Sequence, residues 1–162
     1  MNRRHFLTRA ACAAGVVKFS TMPATAAVLA SNSHFEVYRT KQQWKAKLSD
    51  FEYQVMREEK TERAGSSPLL NEKREGIYLC KGCDFPLYPS NTKYESGTGW
   101  PSFYQELPNA VATKEDRKLF SVRTEAHCRR CGSHLGHIFE DGPAPTGLRH
   151  CLNGISLTFQ PA

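Results

Sequence analysis

The first third of the chain places apolar residues at helical spacing. We predict two short helices there, over residues 40–48 and 49–62. The second helix begins at a capping box, in which a serine and a glutamate three residues later satisfy each other's backbone amides. That box is Ser49 and Glu52. The apolar face of the second helix consists of Phe51, Val55 and Met56.

Beyond Pro68 the pattern changes to short β-prone runs separated by turn residues. The clearest predicted strands cover residues 77–79, 119–124 and 155–159, and the last two alternate apolar and polar positions. Helices followed by short strands predict an α+β fold that is mainly β. We therefore expect a small antiparallel β domain with N-terminal helices.

The charge of the chain is concentrated at its start. The net charge is +6, but residues 1–30 hold four of the 22 basic side chains and no acidic one. Residues 31–162 therefore carry 18 basic and 16 acidic side chains. That balance is too even to predict a nucleic-acid-binding surface. No run approaches the ~20 apolar residues that span a bilayer, so we expect no stable membrane span once the leader is cleaved.

Residues 1–30 resemble an export signal. Arg3 and Arg4 precede Phe-Leu, a mildly apolar run follows, and Ala24-Thr-Ala26 is a small-residue cleavage site. The paired arginines are typical of the twin-arginine subtype, which predicts a bacterial periplasmic protein with residues 31–162 as its mature domain. A basic N-terminal tail is the alternative. Cleavage would remove Cys12 and leave five of the six cysteines.

Two Cys-x-x-Cys knuckles predict a metal site. They are Cys80 with Cys83 and Cys128 with Cys131, and residues 84–127 separate them. Two such knuckles supply the four thiolates of a tetrahedral zinc site. Four protein ligands leave no open position, so we expect one structural Zn²⁺. A pair of disulfides is the alternative in an oxidising compartment.

The fifth cysteine, Cys151, is a candidate nucleophile. It lies in a predicted extended run between Arg149 and Asn153, and period-two geometry places those three side chains on one face. A neighbouring guanidinium favours the thiolate, which is the reactive form. The alternative is a buried cysteine with a structural role.

Several separate motifs together resemble the methionine-R-sulfoxide reductase (MsrB) family. Besides the two knuckles, they are Thr61-Glu-Arg63, Ser96-Gly-Thr-Gly-Trp-Pro-Ser-Phe103, Gly132-Ser-His-Leu-Gly-His-Ile-Phe139, Asp141-Gly-Pro143 and Arg149-His-Cys-Leu-Asn153. The resemblance spans most of residues 40–160. It implies two antiparallel sheets rolled around a small core, with zinc opposite the active face.

The resemblance also implies a role for each site residue. Cys151 would be the catalytic cysteine and Arg149 its electrostatic partner. His134, His137 and Asn153 would orient the sulfoxide oxygen, and one of the two histidines would protonate it. Trp100 and Phe139 would pack against the substrate, and Asp141 would support the site from behind.

This chain departs from the family pattern at three positions. Thr98 stands where many relatives carry a resolving cysteine, so Cys151 is the only free thiol left after the leader and the zinc ligands. A one-cysteine cycle is therefore expected, in which an external thiol, such as a thioredoxin-like protein, reduces the Cys151 sulfenic acid. Gly154 replaces a common serine and His150 a common aromatic residue, which predicts an altered pocket shape.

We therefore expect a monomeric, exported enzyme that reduces methionine-R-sulfoxide, either free or in proteins. A zinc-bearing binding module of the same fold without catalysis is the first alternative. A cysteine hydrolase is the second, since it also uses Cys and His.

Overall fold

The computed structural model describes residues 35–117 and 122–162, which form two helices and nine strands in two antiparallel sheets. The helices are α1 (Lys41–Lys47) and α2 (Asp50–Glu58). The strands are β1 (Gly76–Cys80), β2 (Pro86–Pro89), β3 (Lys93–Tyr94), β4 (Ser102–Phe103), β5 (Val111–Asp116), β6 (Arg123–Cys128), β7 (His134–Phe139), β8 (Arg149–Leu152) and β9 (Leu157–Pro161). The predicted fold class is confirmed. The proposed export signal lies outside the described residues.

Both helices begin at capping boxes, including the predicted one at Ser49 and Glu52. Val55 and Met56 are buried as expected, whereas Phe51 is 46% exposed, so its predicted place on the apolar face is wrong. Helix α2 is nine residues long and buries Tyr53, Val55 and Met56, which leaves Phe51 outside the contact. No helix within the described ranges is long and apolar enough to cross a membrane.

Helix α2 ends four residues earlier than predicted. Glu59 adopts the left-handed conformation, with φ 58° and ψ 34°, and its amide bonds back to Gln54. A left-handed residue is a common way to stop a helix. The chain then runs toward the sheets, where the amide of Glu62 donates to Asn153.

The strand order is β2-β1-β9 in the smaller sheet and β3-β4-β8-β7-β6-β5 in the larger one. The strand predicted over residues 77–79 lies within β1. The other two start later than predicted. In the described part of the run 119–124, Val122 precedes β6 and Arg123 and Thr124 belong to it; residues 118–121 lie outside the described ranges. Strand β9 is preceded by a 3₁₀ turn over Gly154–Ser156, in which the amides of Gly154 and Ile155 donate to the Glu62 carboxylate and not to a strand.

Aromatic side chains join the two sheets. Phe103 of β4, in the larger sheet, lies 4.9 Å from Tyr78 of β1 and 4.6 Å from Tyr88 of β2, between ring centroids. All three side chains are fully buried. Large aromatic residues contribute much of a core's buried area, so this cluster fixes β4 against the smaller sheet.

The turn after β8 is packed tightly at Gly154. A Cβ atom at this position would lie 1.8 Å from Ser67 Oγ and 2.6 Å from Ser67 Cβ. Ser67 Oγ is itself held, because it accepts from the amide of Leu69 at 3.1 Å. Glycine at 154 and serine at 67 therefore share one small space.

We predict that Gly154→Ser destabilises the fold by about 1–3 kcal/mol, because the added side chain overpacks this space. Ser67→Gly should cost stability in the wild-type chain but restore it in the Gly154→Ser background. Urea unfolding of the two single variants and the double variant measures the coupling. Additive effects of the two substitutions would contradict the shared-space explanation.

Candidate active site and cysteine cluster

The two Cys-x-x-Cys knuckles occupy matching positions on the two sheets. Cys80 ends β1 and Cys128 ends β6, and each is followed by a tight turn that carries the second cysteine. Each turn closes with a residue at positive φ, Asp84 at 57° and Gly132 at 68°. The knuckles therefore point four thiols from different sheets toward one place.

The four sulfur atoms fit a metal ion. All lie within 4.8 Å of one another, and two pairs, Cys80 with Cys131 and Cys83 with Cys128, are 3.6 Å apart. Zn–S bonds of ~2.3 Å in a tetrahedron separate sulfur atoms by roughly 3.8 Å. A disulfide bond is about 2.05 Å long, so the observed spacing matches a metal cluster rather than two disulfides. The four buried cysteines could hold a zinc ion, and none of them lines the pocket described next.

Cys151 lies near the middle of the larger sheet. It is the third residue of β8, paired with Ser102 of β4 on one side and with His137 of β7 on the other. Its side chain is half-buried at the wall of a pocket of about 140 Å³. Five of the predicted site residues line this pocket: Trp100, His137, Phe139, Cys151 and Asn153. Its other lining residues are Thr61, Arg123, Gly136 and Leu152.

Strand β7 approaches Cys151 very closely at Gly136. A Cβ atom at Gly136 would lie 2.0 Å from the Cys151 carbonyl oxygen, so only glycine fits. Because of this close approach, the backbone of β7 lines the pocket beside Cys151.

Burial raises the pKa of the Cys151 thiol. The Thr98 hydroxyl, 3.9 Å from Cys151 Sγ, and the Arg149 guanidinium both favour the thiolate but offset burial only in part. Arg149 therefore acts in the predicted direction without deciding the outcome. The resting side chain is a protonated thiol at neutral pH.

Arg149 and Asp141 form a bidentate ion pair. Both guanidinium-to-carboxylate distances are 2.8 Å, and the pair lowers the pKa of Asp141. The guanidinium also lies 4.4 Å from the centre of the Phe139 ring. Asp141 thus orients the arginine that stacks on one wall of the pocket.

The two predicted histidines occupy different environments. His137 lines the pocket, and its Nε2 lies 2.8 Å from Asp116 Oδ2. His134 is only 2% exposed, does not line the pocket, and places Nδ1 3.1 Å from Glu125 Oε1. The two rings meet edge to face with centroids 5.5 Å apart. His137 is therefore the histidine that a bound substrate would touch.

Asn153 and Trp100 are both tied to the segment after α2. Asn153 Oδ1 accepts from the Glu62 amide at 2.9 Å, and its Nδ2 donates to the Leu135 carbonyl at 3.1 Å. Trp100 Nε1 donates to the Glu62 carbonyl at 3.1 Å. The Glu62 carboxylate, 4% exposed, accepts from the amides of Gly154 and Ile155. Burial raises the pKa of this carboxyl even so.

A larger cleft, about 550 Å³, lies along β1, β2 and β9. Its lining contains neither cysteine nor histidine. This cleft is larger than the pocket at Cys151, but the candidate reactive side chains line the smaller pocket.

Several residues that shape the site have no predicted role in the sequence. Glu62 stood within a recognised motif, so its position carried a signal even though its contacts did not. Asp116, Arg123 and Glu125 carried none, because the pairing of β5, β6 and β7 creates their contacts with His137, Asp116 and His134.

Comparison with known proteins identifies the family. The SelR domain model matches residues 48–161. A peptide methionine sulfoxide reductase MsrB of Alteromonas mediterranea is 52% identical over 118 residues, which are 72% of this chain and 83% of that protein. An MsrB of Methanosarcina barkeri is 50% identical over 125 residues, 76% of this chain and 88% of that protein.

Among solved structures, the Mis18 "Yippee-like" domain is similar with a TM-score of 0.42 and 17% identity, covering 55% of this chain and 98% of that domain. The family assignment depends on the sequence matches. Because the SelR model spans most of the chain and the curated relatives match it over most of their own length, this chain belongs to the MsrB family.

Proposed function

We propose that this chain is a thiol-dependent reductase of methionine-R-sulfoxide, acting on the free amino acid or on proteins. The observation that carries the proposal is Cys151 half-buried in a small aromatic pocket opposite His137. Membership of a family whose relatives are named peptide methionine sulfoxide reductases supports it.

The chemistry requires a nucleophilic sulfur and a proton. Cys151 Sγ attacks the sulfoxide sulfur, and the S–O bond breaks as the oxygen becomes bound to Sγ. The sulfoxide sulfur gains the electron pair that the cysteine loses, so methionine leaves and Cys151 becomes a sulfenic acid. The thiol proton ends on the transferred oxygen, so no net proton is consumed.

The pocket suits the substrate's methyl end. Trp100 and Phe139 supply aromatic walls. The Trp100 indole donates a hydrogen bond to the Glu62 carbonyl, and the Arg149 guanidinium lies over the Phe139 ring. A pocket of about 140 Å³ suits a small group such as a sulfoxide and its methyl. Fixed walls would favour one arrangement of methyl and oxygen, and this supports the proposed preference for one epimer.

The sulfenic acid is reduced from outside the chain. Thr98, which stands where many relatives carry a resolving cysteine, places a hydroxyl and not a thiol 3.9 Å from Cys151 Sγ. Within the described ranges the other four cysteines are grouped in the cysteine cluster. An external dithiol, such as a thioredoxin-like protein, would therefore regenerate the thiol, releasing water and becoming a disulfide.

We further propose that the cysteine cluster holds one structural zinc ion and that the protein works as a monomer. When bound, zinc would join the end of β1 to the end of β6 through Cys80, Cys83, Cys128 and Cys131. Four thiolates saturate the ion, so its contribution is to stability and not to the reaction.

We also propose that residues 1–30 direct twin-arginine export to the periplasm. Arg3, Arg4 and the apolar run that follows support this. N-terminal sequencing of the protein from periplasmic fractions tests the proposal, and an intact N-terminus confined to the cytoplasm would contradict it.

Turnover of separated methionine sulfoxide epimers tests the activity. With a small dithiol, the wild-type chain should reduce the R epimer only, and Cys151→Ser should abolish turnover because the nucleophile is lost. Cys12→Ser is the matched control and should leave the rate unchanged. No turnover of either epimer by folded protein would favour the binding module instead.

Metal analysis tests the cluster. We expect one zinc ion per wild-type chain and per Cys151→Ser chain. Cys128→Ser should lose the metal and unfold, because structural zinc contributes on the order of 10 kcal/mol, comparable to a domain's whole stability. Metal content by mass spectrometry and thermal melting are the measurements. Purified wild-type chain with two disulfides and no metal would overturn the zinc proposal.

A cysteine placed at position 98 tests the one-cysteine cycle. After one turnover without reductant, the wild-type chain should carry a sulfenic acid that dimedone traps. Thr98→Cys should instead form a disulfide with Cys151, because the replaced hydroxyl lies only 3.9 Å from Sγ. Thr98→Ser is the control without sulfur. A disulfide between Cys151 and a knuckle cysteine in the wild-type chain would sink the one-cysteine cycle.

A further inference from the structure

Asp116 lies behind the histidine that lines the pocket. It ends β5, and its Oδ2 lies 2.8 Å from His137 Nε2 and 2.7 Å from Arg123 Nη2. The side chains of Asp116 and His137 are 7% and 12% exposed. Neither the family motifs nor the sequence pattern pointed to Asp116.

Three neighbouring strands create this contact. Asp116 pairs with Arg123 across β5 and β6, and β6 pairs with β7, which carries His137. The same β7 residue faces Cys151 across the next ladder. Asp116 on β5 therefore reaches His137 past β6, and His137 in turn is directly paired with Cys151 on β8.

The contact determines which imidazole nitrogen carries the proton. An ionised carboxylate only accepts hydrogen bonds, and Arg123 donates to the same oxygen. Nε2 of His137 must therefore be the donor, which leaves Nδ1 unprotonated in the neutral ring. That nitrogen can accept a proton and then release it.

His137 and not His134 is placed for this exchange. His134 is buried beside Glu125 and is absent from the pocket lining. Directly opposite residues in an antiparallel pair have Cβ atoms about 4.5–5.5 Å apart, so His137 and Cys151 are within reach of a shared substrate.

We propose that Asp116 is a positioning residue for the reduction: it holds His137 as the Nε2–H tautomer, so that Nδ1 takes the Cys151 thiol proton and delivers it to the sulfoxide oxygen. This inference rests on the proposed function. The thiol proton passes through the ring to the oxygen that Sγ acquires, and the ring ends neutral as it began.

The charges around His137 agree with this role. Burial lowers the pKa of His137, Arg123 and His134 lower it further, and Asp116 opposes them. The Cys151 thiol faces the ring from β8 and has a raised pKa because of burial. Both shifts favour the neutral thiol and the neutral imidazole, and Asp116, which raises the pKa of His137, makes the ring a better acceptor for the thiol proton. Removing the Asp116 charge should lower the pKa of His137 further.

Nitrogen NMR of the histidine rings tests the positioning directly. In the wild-type chain, neutral His137 should be the Nε2–H tautomer. In Asp116→Asn, the Nδ1–H tautomer should gain population, because the amide can donate to Nε2, and the titration midpoint should fall. Glu115→Gln, on the same strand with a half-exposed side chain, is the matched control and should change neither.

Kinetics test the consequence for the reaction. Asp116→Asn should lower kcat by on the order of 10²-fold or more, since a wrong tautomer removes general acid–base catalysis. KM should change little, because Asp116 does not line the pocket. The limb of the pH profile that titrates with His137 should move to lower pH with the NMR midpoint. A rise in KM at unchanged kcat would overturn the positioning role.

The proposal is also overturned if the wild-type ring is the Nδ1–H tautomer, or if Asp116→Asn changes neither tautomer nor midpoint. The wild-type tautomer decides the matter even if Asp116→Asn does not fold. Absence of turnover in the wild-type chain would overturn the proposed function instead, and the NMR result would still decide whether Asp116 orients His137.

Discussion

The pairing of β8 between β4 and β7 is the constraint on which the site depends. It places Ser102, Cys151 and His137 in one row across three strands. Since side chains alternate between the two faces of a strand, a slip of one residue in either ladder would turn the cysteine away from the pocket. Gly136 permits the close approach, because no side chain fits between it and the Cys151 carbonyl. Backbone pairing therefore sets the position of Cys151 at the pocket.

A second element stabilises this arrangement from outside the sheets. Glu62 contacts Trp100 and Asn153 through its backbone, and the turn after β8 through its carboxylate. The buried carboxylate of Glu62 accepts hydrogen bonds from backbone amides in that turn. These hydrogen bonds offset part of the free-energy cost of burying the carboxylate. One short segment thus holds both a pocket wall and the turn after β8. The early end of α2 is what allows this segment to reach them.

The two sheets are joined at two separate places. Phe103 packs β4 against β1 and β2, and the cysteine cluster connects the ends of β1 and β6. The pocket lies on the larger sheet and includes none of the cluster cysteines. The cysteines of the cluster and the cysteine of the pocket are therefore different residues, which agrees with the proposal that the cluster stabilises the fold while Cys151 reacts.

Much of the fold and the site could be predicted from sequence because the signals are local. Helix caps, knuckle spacing and the motifs around Trp100 and Cys151 depend on residues a few positions apart. What required the tertiary structure was every contact between distant segments. The separation of His134 from the pocket, the support of His137 by Asp116 and the space shared by Ser67 and Gly154 belong to this class. These contacts depend on strand order and register, which long-range packing determines and local spacing does not.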